Sequence, residues 1–265
     1  MGVSLAGARV LLTGASGGVG QAIARRLSHE GAQLVLSGRR ADALEALASE
    51  LGARALVADL ARREEVVGLL ASVGEVDVLV ANAALPGSGR LVTLEAEHID
   101  RAIEVNLRAP VALARGLAPL MLRRGSGQLV FIGSLSGKAP TGGASLYNAT
   151  KFGLRGFALS LRAELAPGGI GVSLVAPGFV SDAGMFADTG ITLPWGVTTC
   201  TPGQVADAVV RAIVENRGEV SVASLAMRVG ADLAGLAPAL AARATRALGG
   251  DRLARQFEER QANKR

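Results

Sequence analysis

Between about residues 9 and 223, short runs of β-branched residues and leucine alternate with longer segments whose apolar positions recur at helical spacing. That is the pattern of a parallel sheet covered on both faces. The runs predict seven strands, over 8–13, 33–37, 53–57, 76–81, 127–132, 171–175 and 219–223. Helices are predicted near 19–30, 41–50, 62–73, 97–124, 145–166 and 202–216, the 97–124 segment as one long or interrupted helix. Gly31 and Gly52 stand where two helices should stop, as residues that tolerate the left-handed conformation. Two stretches break the rhythm. Residues 181–201, with Gly184, Gly190, Pro194 and Gly196, read as a long irregular excursion of the kind that forms binding lids. From residue 225 the chain becomes rich in alanine, leucine and arginine, broken by Gly230, Gly235 and Pro238 into short amphipathic pieces.

The expected organisation is therefore a doubly wound α/β domain over residues 1–224 with a helical extension, 225–265, packed on it. At 265 residues, 49% hydrophobic and 19% charged, the chain has ample apolar surface for one continuous core. No apolar run approaches the roughly 20 residues needed to cross a bilayer. The first ten residues lack a basic region ahead of an apolar stretch of signal-peptide length, so cytoplasmic residence is expected. A single cysteine, Cys200, permits no internal disulfide, and with only His29 and His98 beside it no structural zinc site is expected. The net charge of +5 does not indicate nucleic acid, because acidic and basic residues are interspersed and aromatic residues make up 3% of the chain. Residues 225–265 carry eight basic against four acidic side chains. A helix pair packed on the domain, or a subunit contact, is the plainer reading of this tail; a membrane-surface helix is the sharper one.

Immediately after the first predicted strand stands Thr13-Gly14-Ala15-Ser16-Gly17-Gly18-Val19-Gly20, opening a helix. So few side chains let backbone N–H groups and the positive helix end approach a pyrophosphate, so Gly14, Ser16, Gly18, Val19 and Gly20 are candidate dinucleotide-binding positions. Residues 14–18 also match G-x-S-x-G, but a nucleophile elbow requires a histidine base late in the chain, and the last histidine is His98. The second strand ends in Ser37-Gly38-Arg39-Arg40. An acidic residue there would accept from a ribose 2′-OH, whereas Arg39 and Arg40 favour a 2′-phosphate. NADP(H) is the preferred cofactor, with NAD(H) left open.

The most specific signal lies downstream. Ser134 follows the fifth strand, and Tyr147 and Lys151 lie four residues apart on the next helix, hence on one face. An ammonium near a phenol favours the phenolate, which is expected to bring the Tyr147 pKa from about 10 toward the working range. Ser134 can donate to an oxygen on which charge develops.

Thr13-Gly-x-x-x-Gly18-x-Gly20, Asn82-Ala83-Ala84, Asn106, Ser134 and Tyr147-x-x-x-Lys151, in this order and spacing, resemble the short-chain dehydrogenase/reductase family over about residues 6–223. The resemblance implies a Rossmann-type doubly wound sheet of seven mainly parallel strands. It implies catalytic roles for Asn106, Ser134, Tyr147 and Lys151, with Asn106 in a water-mediated relay to Lys151. Asp59 with Leu60 would lie at the adenine, Asn82 and Ala83 would support the central strand beside the cofactor, and Lys151 would also hold the nicotinamide ribose. Pro177, Gly178 and Val180 match the turn beside the nicotinamide. The chain departs from the family at Ala81 and Ala84, and at Asp182, which stands where a threonine commonly contacts the carboxamide; Ser181 is a candidate replacement.

The expected substrate walls are Leu135, Ser136, Gly142, Gly143, Ala144, Phe179, Met185, Phe186, Leu193 and Trp195, mostly apolar or small. They point to a hydrophobic ketone or secondary alcohol, interconverted with Tyr147 as general acid/base. The rival of a different class is a regulatory or scaffold protein that binds NADP(H) without turnover. The resemblance also implies a homodimer or homotetramer.

Overall fold

The computed structural model describes residues 2–191, 193 and 197–247; Pro194, Trp195, Gly196 and the basic residues beyond 247 lie outside the described residues. The chain runs β1 (Arg9–Thr13), α1 (Gly18–His29), β2 (Gln33–Gly38), α2 (Ala41–Leu51), β3 (Arg54–Val57), α3 (Arg63–Val73) and β4 (Val78–Ala81). It continues through α4 (Ala96–Ile103), α5 (Ala109–Arg124), β5 (Gly127–Ile132), α6 (Ser145–Leu165), β6 (Ile170–Pro177) and β7 (Phe179–Val180). The last elements are β8 (Thr199–Cys200), α7 (Pro202–Val214), β9 (Glu219–Val222), α8 (Leu225–Leu236) and α9 (Pro238–Ala247). The main sheet has seven strands in the order β3-β2-β1-β4-β5-β6-β9. Every pairing within it is parallel. The seven predicted strands are all present, within three residues of their expected ends.

Alternation along each strand splits the apolar residues between two cores. Val10 and Leu12, Val78 and Val80, and Val130 and Ile132 face one side, against α1, α2 and α7. Leu11, Leu79, Leu129 and Phe131 face the other, against α3, α5 and α6. Gly31 and Gly52 both take positive φ where the helices end.

The 97–124 segment is interrupted, and the interruption has a chemical cause. Between α4 and α5, residues Glu104–Arg108 form a π-helical turn, with the Ala109 N–H donating to the Glu104 carbonyl five residues back. Pro110 has no N–H to offer the Asn106 carbonyl four residues earlier, so one bond of the α-helical ladder is missing at this point, although α5 accommodates Pro119 further on. The excursion after β6 is partly ordered by β7 pairing with β8, a small parallel ribbon that the sequence pattern did not predict.

All parallel strands deliver their following loops to the same edge of the sheet, and a chain reversal in strand order, between β1 and β4, opens a crevice there. Among the described residues no helix is long and apolar enough to cross a membrane.

Phe131 is fully buried at the centre of the sheet and meets Phe157 of α6 edge-on, with ring centroids 5.5 Å apart. Phe131→Ala is expected to cost about 3–5 kcal/mol of stability in urea unfolding. A loss below about 1 kcal/mol would mean that the β5–α6 layer is not packed as described.

Candidate active site

The glycine-rich turn is shaped by contacts that leave no room for side chains. Gly14 has φ 65°, and a Cβ there would stand 2.7 Å from the Ala83 Cα at the end of β4. A Cβ on Gly20 would overlap the Gly14 carbonyl, and one on Gly18 would overlap the Ala183 methyl. Asn82 locks the turn from the side: its Nδ2 donates to the carbonyls of Thr13 and Gly14, both at 3.1 Å, and its N–H donates to Thr13 Oγ1 at 3.1 Å. The residue before α1, Gly17, offers no side chain to cap the helix, so the N-terminal N–H groups are left for another acceptor.

From this turn a cavity of about 540 Å³ runs along the sheet edge. One end is walled by Ser37, Gly38, Arg39, Arg40, Ala58, Asp59 and Leu60. A Cβ on Gly38 would press on Ser16 Oγ at 3.0 Å, which leaves little space for an acidic side chain at that position. Arg40 donates to the Ser16 carbonyl, tying the second strand's end to the glycine turn. Asp59 Oδ1 accepts the Ala61 N–H at 3.0 Å, and Asp59 is held further by an N–H···Glu65 bond of 2.6 Å. A glycine cradle that any Cβ would fill, with uncapped N–H groups and two arginines beyond it, fits a phosphate-bearing dinucleotide.

The other end is built on β5 and α6. Ser134 leaves the end of β5 in extended conformation, its Oγ accepting the Ser136 N–H at 3.1 Å. It lies near enough to the Tyr147 phenol to favour the phenolate slightly. Lys151 lies one turn along α6, 2% exposed, with Nζ donating to the Ile132 carbonyl at 2.9 Å and 5.7 Å from the centre of the Tyr147 ring. A Cβ on Gly137 would come within 2.7 Å of the Lys151 carbonyl, so the turn after Ser134 seats directly on α6.

Burial governs the ionisation of both groups. It pushes the Tyr147 phenol up to about 12, against the smaller lowering by Ser134, although part of the ring is open to the cavity. It pushes Lys151 down to about 8. In the cofactor-free chain burial is thus the larger influence on Tyr147, and Lys151 is not among the causes of its shift. The Lys151 ammonium donates to the Ile132 carbonyl and stands 5.7 Å from the ring centre, and desolvation of the phenol is the larger effect.

Asn106 sits fully buried in the π-helical turn. Its Oδ1 accepts the Leu85 N–H at 2.7 Å, and its Nδ2 donates to the Leu85 carbonyl at 2.9 Å and to Thr150 Oγ1 at 3.4 Å. It clamps the loop after β4 onto α6, one residue from Lys151, with its carboxamide committed to those bonds. Pro177, Gly178, Phe179 and Val180 line the cavity as expected. Asp182 does not; it is exposed with φ 63° and accepts from Ser181 Oγ at 2.8 Å, while Ala183 provides the wall. Ser181, the candidate replacement for the threonine, is not among the residues lining the cavity, and its Oγ also donates to the Cys200 carbonyl at 3.3 Å. Leu135, Ser136, Gly142, Gly143, Ala144, Met185 and Phe186 all line the substrate end, whereas Leu193 does not and Trp195 falls outside the described residues. Sequence reasoning missed Leu85, Pro86, Ser88, Thr141 and Met227, which complete the wall.

A family model described as short chain dehydrogenase matches residues 8–192. The chain belongs to the short-chain dehydrogenase/reductase family. These are oxidoreductases that act on CH–OH and carbonyl groups. The chain is 37% identical over 228 residues to a ketoacyl reductase, HetN, of Nostoc sp., covering 83% of this chain and 79% of that protein. Its fold is similar to a short-chain dehydrogenase from Sphingobium yanoikuyae in complex with NADPH, at TM-score 0.77 and 33% identity, covering 88% and 94% of the two chains. It is also similar to the bulky-bulky ketone specific alcohol dehydrogenase of Comamonas testosteroni, at TM-score 0.73 and 28% identity, covering 86% and 91%.

Burial of Lys151 carries a consequence for stability. Because its pKa falls from 10.5 to about 8 on folding, the unfolded chain holds more protons than the folded one between those values. Stability therefore gains from this group as pH rises through that window, and the full cost of the buried ammonium is present below pH 8. The stability of Lys151→Met relative to wild type is expected to fall as pH rises from 8 to 10.5, read from urea unfolding of the cofactor-free proteins. A difference that stays flat across the window would contradict the burial of a charged amine.

Proposed function

We propose that the chain interconverts a hydrophobic ketone and the corresponding secondary alcohol with NADP(H), with Tyr147 as the acid/base group. The observation that carries this reading is the meeting of Ser134, Tyr147 and Lys151 on one cavity whose substrate end, Lys151 apart, holds no charged residue among those described. The charged residues lining the cavity are Arg39, Arg40, Asp59 and Lys151. The first three lie at the far end, and Lys151 lies behind Tyr147. A wall of Leu85, Pro86, Leu135, Phe179, Met185 and Phe186 recognises apolar surface and offers nothing to clamp a carboxylate or phosphate. The Comamonas neighbour's bulky ketone and the Nostoc relative's ketoacyl substrate are both carbonyl compounds of this broad kind.

The glycine turn, Asn82 and Ala83 would hold the pyrophosphate and the central part of the cofactor, with Arg39 and Arg40 at the 2′-phosphate and Asp59 and Leu60 at the adenine. Pro177, Gly178 and Val180 would border the nicotinamide. Bound there, the nicotinamide supplies or accepts the hydride. The protein's own task is the proton. At neutral pH a phenol raised by burial carries its proton and is in the form that donates to a carbonyl oxygen as negative charge builds. Ser134 donates to the same oxygen and lowers the cost of that charge. Lys151, still mostly protonated at pH 7, offsets the phenolate left behind.

Tyr147→Phe is expected to lower kcat for ketone reduction by about 10²–10⁴-fold while leaving NADPH binding, followed by nicotinamide fluorescence, within a few-fold of wild type. Retained turnover would overturn the assignment, and loss of NADPH binding would mean that the phenol has a different role. Separately, replacing Arg39 and Arg40 together by alanine is expected to lower the NADPH-over-NADH ratio of kcat/KM at least about tenfold. An unchanged ratio would remove the two arginines from cofactor choice.

A further inference from the structure

The helical extension does more than continue the chain. Helix α8 begins directly after β9, so it starts at the sheet edge where the active site lies. Met227, in its first turn, lines the cavity. A Cβ on Gly178 would touch the Met227 methyl at 3.3 Å and the Leu135 side chain at 3.6 Å, so the thioether and Leu135 both approach the Pro177–Gly178 turn. The Met227 sulfur also meets Thr198 Oγ1 at 3.7 Å, at the far end of the excursion that carries Met185 and Phe186. The Pro177–Gly178 turn and the excursion thus meet at one side chain, with Leu135 close beside them.

The helix is fastened to the catalytic turn. Lys138, the residue that follows Leu135–Gly137, is almost covered, and its Nζ reaches Asp232 of α8 at 3.1 Å and Glu219 of β9 at 3.4 Å. Ala231 and Ala234 are buried beneath the helix, and a Cβ on Gly235 would lie 3.3 Å from the Lys138 carbonyl. Small residues on the inner face allow α8 to approach closely, and the long thioether at its start then reaches inward. An unbranched thioether fills irregular space and changes rotamer at little cost, which suits it to close a pocket around substituents of different shape.

We propose that Met227 is a specificity-determining residue of the carbonyl site, setting the size of the larger apolar group that a ketone substrate can place beside Gly178 and Leu135. This rests on the carbonyl-reduction reading above. A thioether has no proton to give and is a poor base, so Met227 acts on substrate fit and not on the proton transfer. Shortening it opens the wall, and a rigid ring in its place closes it.

The test compares kcat/KM, with NADPH saturating, for a small methyl ketone and for a ketone bearing two bulky aryl groups, in wild type, Met227→Ala, Met227→Leu and Met227→Phe. Met227→Ala is expected to shift the bulky-over-small ratio upward by about tenfold or more, mainly through KM, and Met227→Phe to shift it downward. Met227→Leu, close in volume, is expected to stay within about threefold, and NADPH affinity is expected to be unchanged in all three. A ratio that none of the variants moves, in an enzyme whose wild type reduces ketones, would overturn the role of Met227 and leave the reaction assignment standing. A wild type that reduces neither ketone would overturn the reaction assignment, and this inference with it.

Discussion

A phenol and an amine are held one helical turn apart at the wall of a cavity, the amine buried and the phenol half-buried, and neither ionises as it would in solution. Burial favours the uncharged form of each, raising Tyr147 to about 12 and lowering Lys151 to about 8. The pair is therefore set with its proton on the phenol and with an amine whose charge is only moderately stable. A site in this state is an acid awaiting a partner. A developing oxyanion can draw the proton across, and the Ser134 hydroxyl and the nearby ammonium limit the cost of the charges that result.

The rest of the fold serves to bring groups to that spot without filling it. A wholly parallel sheet delivers the ends of β1, β4, β5 and β6 to one edge, and each contributes a different part of the cavity. Close backbone approach does the fine positioning. The Gly14–Ala83 contact brings the glycine turn against β4, the Gly137–Lys151 contact seats the serine turn on α6, and Gly87 lies against the Tyr147 backbone. Asn82 and Asn106 act as paired clamps, one across β1 and β4, the other between the loop after β4 and α6. Each satisfies backbone groups that would otherwise be stranded beside an open cavity.

Much of this was legible in the sequence because it is local. Strand alternation, the glycine run, the i,i+4 spacing of Tyr147 and Lys151 and the arginine pair after β2 are each written within a few residues. What was not legible depends on distance or on burial. Met227 lies 80 residues from Tyr147 and enters the site only because β9 ends at the same sheet edge. The π-helical turn at Asn106 had a signal that went unread, since Pro110 removes the donor four residues on. The upward shift of Tyr147 was not legible because spacing gives proximity but not desolvation, and burial is a property of the folded chain. Asp182 drew attention as a departure from the family pattern, yet the backbone turns it outward and its neighbour Ala183 forms the wall.

The chain contains a single tyrosine, so phenolate absorbance in the ultraviolet reports on Tyr147 alone. A pH titration of the folded, cofactor-free protein therefore tests directly whether burial dominates the site. The phenol should keep its proton beyond pH 10 and ionise only toward about 12. Ionisation of the folded protein below pH 10 would show that the lysine's charge outweighs desolvation, and would contradict this account of how the proton is held.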